Sequence, residues 1–132
     1  MRVLLLALTC SFVMLPAWAD GFTDYSGREL FMRFCASCHG PLGSGDGPVS
    51  GAVAKQIPDL TRLARRQPDS QINVEQLREI IDGRSVVVAH GTRYMPVWGY
   101  EFWVEEGADR EAEDEVRQII DRLIEYLRSI QR

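Results

Sequence analysis

Wherever apolar positions along this chain keep a rhythm, it is a helical one. The longest example lies near the C-terminus, where Val116, Ile119, Ile120, Leu123, Ile124, Leu127 and Ile130 recur every three or four residues and trace one face of a helix. Leu30, Phe31 and Phe34 keep the same spacing in the first half. Ahead of them, Ser26-Gly27-Arg28-Glu29 has the form of a capping box, in which the serine oxygen accepts from the third helical amide and the glutamate reaches back. A helix is therefore predicted over about 27–38, ended by Gly40 and Pro41. Another is predicted over about 74–82, opened by Asn73 and closed by Gly83.

The stretches between these segments read as connections. GPLGSGDGPVSGAVAKQIPDLT is loop, with a weak turn of helix near 51–55. Ser85-Val86-Val87-Val88 has the composition of a strand but no partner strand elsewhere, so it reads as an extended connection. GTRYMPVWG is loop by its proline and glycines. No internal repeat or low-complexity segment interrupts the pattern, and the fold class is all-α.

The N-terminus stands apart. MRVLLLALTCSFVMLPAWA combines one arginine, an apolar run from Val3 to Leu15 and the small-residue site Ala17-Trp18-Ala19, the pattern of a secretory signal peptide. The run is too short for a membrane-spanning helix and ends in Pro16, which disfavours an uncleaved anchor. Ala7-Leu8-Thr9 is a poor approach to a lipidated Cys10. Residues 1–19 are read as signal peptide and 20–132 as one domain of the exported protein, in the periplasm. Of the 132 residues, removal of 19 leaves 113. Loss of Arg2 takes the formal net charge from −4 to −5.

That shorter chain has thirteen arginines, a single lysine (Lys55) and two cysteines, Cys35 and Cys38. No basic patch interleaves with aromatics, which argues against nucleic-acid binding. No phosphate-binding glycine motif occurs, and no serine, histidine and acid group as a hydrolase requires.

What remains is FCASCHGPLGSGDGP, residues 34–48. C-A-S-C-H is the signature for covalent attachment of a c-type haem. Residues three apart share a helix face, so Cys35 and Cys38 can both reach the vinyl groups of one porphyrin, with His39 ligating the iron. A disulfide would leave His39 unexplained. A zinc site wants four ligands, and only His90 remains besides these three. A thioredoxin-like pair expects a βαβ setting that the chain lacks.

The iron then needs a sixth ligand. Met32 sits three residues before Cys35 on the same helix and cannot cross to the other side of the porphyrin. Met95 lies in a loop, followed by Pro96, which restricts the backbone. Met95 is the expected ligand, by the His/Met pairing of cytochromes c. His90, five residues earlier, is the lesser candidate.

CASCHG followed by GSGDGP, the phrase IPDLT, the YMPVWG loop and the ending LIEYLRSI together make the chain resemble the class I cytochrome c family. The resemblance implies a fold of three to five helices packed around one covalently attached haem, with the first and last helices crossing. It implies a crossing in which Gly27 and Phe31 meet Leu123 and Tyr126. It also gives Pro58 a role, offering its carbonyl to the second ring nitrogen of His39. Tyr94, Arg93 and Trp98 flank the methionine, either bonding the haem propionates and packing on the ring edge or serving as ordinary loop residues.

One familiar feature is missing. Mitochondrial-type members dock through lysines around the exposed haem edge, and Lys55 alone makes no such ring. The acidic run Glu105, Glu106, Asp109, Glu111, Glu113, Asp114 and Glu115 reads as a solvated linker and a favourably charged helix start rather than a docking site. Arg65-Arg66 reads as a surface pair.

A haem with both axial positions filled leaves no place for a substrate. The expected function is a periplasmic one-electron carrier working between respiratory or dehydrogenase partner proteins, not an enzyme, with membrane association only if the N-terminal segment is retained. The alternatives are a haem with a labile sixth ligand, acting as a peroxidase or gas sensor, and a cytochrome subunit of a dehydrogenase complex. The exposed-looking Tyr100, Phe102 and Trp103 suit an interface in the latter, or a cover for the haem.

Overall fold

The structure is a computed structural model describing residues 21–84 and 94–132. The proposed signal segment, the extended connection at 85–88, His90 and Arg93 lie outside the described residues. Five α-helices and no strands occur among those described: α1 (Gly27–Phe34), α2 (Ala36–His39), α3 (Val74–Asp82), α4 (Trp98–Glu105) and α5 (Glu111–Ser129). Short 3-10 turns link them at Phe22–Asp24, Ser50–Ala52, Leu60–Arg62 and Ala64–Arg66. Among the described residues no helix is long and apolar enough to cross a membrane.

Local chemistry explains where the helices start and stop. The Ser26/Glu29 capping box is fully formed. At α3 the Asn73 side chain accepts from the amide of Gln76, and Gly83 ends the helix in the left-handed conformation. Glu111, Glu113 and Asp114 occupy the first turn of α5, where the helix dipole favours negative charge. Asp109 Oδ1 also accepts from the amide of Ala112 there, at 2.9 Å.

The core forms where α1 crosses α5. Leu30, Phe31, Val116, Ile119, Ile120 and Leu123 are all but fully buried. Gly27 makes the crossing possible, because a Cβ there would stand 2.0 Å from the Arg122 carbonyl oxygen. No side chain can occupy that gap without driving the backbones apart. Phe31 and Tyr126 close it with ring centroids 5.1 Å apart. Burial of each large apolar side chain contributes about 1.5–3 kcal/mol, so this crossing is the main source of cohesion in the fold.

Three expectations need correction. The helix predicted over 27–38 is interrupted at Cys35, where φ widens to −111°, so α1 ends at Phe34 and α2 begins at Ala36. Backbone bonds still run through the join, from the amide of Cys35 to the Phe31 carbonyl and from that of His39 to the Cys35 carbonyl, both 2.9 Å. The stretch GTRYMPVWG is not loop to its end, since Trp98 and Gly99 open α4. This helix hides from a periodicity search because its apolar residues surround it. Gly99 and Phe102 are buried, Trp98 and Trp103 half-buried, and Tyr100 and Val104 exposed. Phe102, read as exposed from the sequence, is fully buried.

Candidate functional site

The motif C-A-S-C-H occupies the join between α1 and α2, and the loop behind it folds back to brace it. The amide of Gly45 donates to the His39 carbonyl at 2.8 Å, Gly47 to Cys38 at 3.1 Å and Val49 to Ser37 at 3.1 Å. Leu60 donates to Gly43 at 2.7 Å, which draws IPDLT against the same loop. Gly45, with φ +85°, lets the chain pass close, since a Cβ there would stand 2.6 Å from the Ile57 carbonyl oxygen. The result is a tight frame that presents the Pro58 carbonyl to His39, whose Nδ1 lies 3.2 Å from it. With Nδ1 donating, Nε2 is the ring nitrogen left with a free lone pair.

Burial lowers the His39 imidazole from its ordinary value, with the Pro58 bond pulling the other way, a shift that favours the neutral ring. That is the form in which histidine binds metals. Burial, reinforced by neighbouring Cys38, pushes the Cys35 thiol up to about 12. Cys35 and Cys38 are free thiols, not a disulfide. Among the described residues no group of three or more His, Cys, Asp and Glu comes together as a metal cage.

These groups open onto a cavity of about 550 Å³. Cys35, Cys38, His39 and Pro58 line it from one stretch of chain, and Tyr94, Met95 and Trp98 from another, so all seven of these sequence-predicted residues meet there. Met32, by contrast, is exposed on α1 and does not line the cavity. Sequence reasoning missed Phe34, Lys55, Gln56, Ile57 and Ile80 in the lining. Ile80 carried a usable signal. It borders the buried pair Leu77 and Ile81 on α3 yet is itself 45% exposed, an apolar side chain lining the cavity. Arg65 is exposed as expected, but Arg66 also donates to the Asp59 carbonyl at 3.0 Å.

The lining suits a covalently held haem. The volume falls within the ~300–1,000 Å³ typical of pockets that enclose one ligand, and the walls are mainly apolar with few polar groups. Two thiols, an imidazole and a thioether sulfur line it, the donor types by which a c-type haem could be attached and ligated. An all-helical fold with such a cavity defines a small c-type haem protein. Residues 23–113 match the family described as "Cytochrome C oxidase, cbb3-type, subunit III", and the chain belongs to it. This is a class I c-type cytochrome family whose members carry covalently attached haem with iron, and the protein is accordingly a c-type haem electron-transfer protein. Neither curated proteins nor solved structures gave a match.

Proposed function

We propose that this protein is an exported one-electron carrier of the periplasm, not an enzyme, with residues 1–19 removed as a signal peptide and 20–132 forming the single haem domain. Cys35 and Cys38 are the attachment residues, His39 and Met95 the axial ligands, and Pro58 the acceptor that orients His39. The haem, when bound, supplies a one-electron couple. The chain's own residues do the rest. Pro58 fixes which histidine nitrogen is available, the apolar walls from Phe34, Ile57, Ile80 and Trp98 keep water from the iron, and a soft thioether favours the reduced state. Were His39 and Met95 both to hold the iron, no coordination site would be left for a substrate, which favours a carrier over a peroxidase or gas sensor.

The observation that carries this reading is the convergence of His39 and Met95, fifty-six positions apart, on the cavity that also holds both thiols. The test is the ferric absorption spectrum of the haem-loaded protein and of its Met95→Ala variant. A weak long-wavelength methionine-to-iron band in the parent, lost in the variant, is the expected result. Its absence from the parent sinks the ligand assignment and brings His90 or an open haem forward.

A second reading, a cytochrome subunit resident in a larger oxidase or dehydrogenase complex, draws support from the family's description and from Tyr100 and Val104, roughly half exposed on the outer side of α4. Gel filtration of a gently prepared periplasmic and membrane extract, followed by haem absorbance, separates a free carrier the size of this one domain from a complex.

A further inference from the structure

Two described points on either side of Met95 in the sequence touch each other in space. Gly83 ends α3, and Arg84 follows it. The Arg84 guanidinium grips one carboxylate with its fork, Nε donating to Asp82 Oδ1 and Nη2 to Asp82 Oδ2, both at 2.9 Å. The Arg84 amide adds a bond to Oδ1 at 3.0 Å. Nη1 crosses to α5 and donates to both oxygens of Glu113, at 2.9 and 3.0 Å. The first turn of α4 rests on this assembly. A Cβ on Gly99 would stand 2.5 Å from Asp82 Cγ and 2.8 Å from Arg84 Nε, so only a bare α-carbon allows so close a seat.

Gly99 is four residues after Met95, and only Pro96, Val97 and Trp98 intervene. The start of α4 has no side-chain cap of its own, so its placement depends on what it leans against. We propose that Arg84, held between Asp82 and Glu113, is a positioning residue for Met95: it fixes the seat of Gly99 and so the point from which Met95 enters the cavity. A two-nitrogen fork of this kind adds geometric definition as well as energy, which a lysine's point charge does not. The role is separable from fold stability, because α4 is held independently by the fully buried Phe102 and the main core lies at the α1/α5 crossing. The inference rests on the reading of Met95 as an axial ligand.

The test uses the haem-loaded protein, with imidazole as a competitor for the methionine position. Its ferric dissociation constant is measured for the parent, Arg84→Gln and Arg84→Lys, beside the far-UV unfolding midpoint of each. Loss of the fork is expected to tighten imidazole binding on the order of tenfold in Arg84→Gln, with an intermediate effect in Arg84→Lys. Arg84→Gln with the methionine band intact and imidazole affinity equal to the parent overturns the inference. So does a tightening matched by an equal loss of global stability, which marks a purely structural residue. Should Arg84→Gln not accumulate, Glu113→Gln spares the Asp82 fork and is expected to tighten imidazole binding about threefold; unchanged affinity there also overturns it. A parent without the methionine band, whose spectrum ignores Met95→Ala, refutes the ligand reading itself and is distinct from all of these.

Discussion

Two of the stretches of chain that line the cavity are built on different principles. The first, residues 34–61, is a local construction in which Cys35, Cys38 and His39 sit within five positions and the following loop returns backbone bonds to them almost residue by residue. The second, residues 94–98, is short and owes its placement to α4, which is seated by Asp82 and Arg84 at its start and by Phe102 in the core. One side carries its own frame, and the other borrows it from distant parts of the chain. On the proposed assignment, the difference gives a fixed attachment side, opposed by a ligand whose hold can be tuned by remote substitutions.

The sharpest break of this comparison is removal of the proposed attachment residues. Cys35→Ala combined with Cys38→Ala is expected to abolish covalent haem. Denaturing gels stained for haem peroxidase activity should show no signal, where the parent shows a band. Persistence of covalent haem would end the assignment of both cysteines.

Next in size is a substitution that belongs to neither side. Gly27→Ala forces a methyl group against the Arg122 carbonyl oxygen, a backbone atom that cannot step aside, and is expected to cost about 3 kcal/mol. Thermal unfolding of the loaded protein measures the loss. The methionine band should survive up to the lowered midpoint, because the crossing supports the cavity without forming it. A variant as stable as the parent would show that the helices tolerate separation after all.

Met95→Ala probes the borrowed side directly. The fold should remain while the midpoint potential falls by on the order of 0.1 V, a modest part of the ~0.8 V range over which axial ligands set haem potentials. Potentiometric titration reads it. A potential unmoved by the substitution would assign the sixth position to another residue.

The same division explains what the sequence discloses. Cys35, Cys38 and His39 are legible because their chemistry is local, and Pro58 follows from a family resemblance that its 3.2 Å approach to His39 matches in geometry. The caps at Ser26, Asn73 and Gly83 and the single apolar face of α5 are likewise local signals. Met95 emerged as a candidate by elimination, because only one other methionine, Met32, lies beyond residue 19. Helix α4 did not emerge, since a short helix with apolar residues on several sides leaves no periodic trace. Nor did the Asp82–Arg84–Glu113 assembly, whose members are ordinary surface charges until the fold brings α3, α4 and α5 together. Tertiary contacts between unremarkable residues are the part a one-dimensional pattern cannot carry.

The smallest expected effect concerns the self-framed side and its dependence on acid. Asp59, next to Pro58, accepts from both the amide and the hydroxyl of Thr61, at 2.9 and 2.6 Å, and Thr61 is buried. Those bonds, helped by Arg62 and Arg66, hold the carboxyl below its ordinary 3.8. A carboxylate favoured in the folded state contributes stability above its unfolded value, and that contribution is lost as pH falls through the lower folded value. Asp59→Asn should therefore be slightly less stable than the parent at neutral pH, and the gap should close as the pH drops below about 3.8. Paired denaturant titrations at pH 7 and at pH 3 read the difference. A gap that stays constant across that range would mean that the shape of the Asp59–Thr61 turn, rather than its charge, braces the chain beside Pro58.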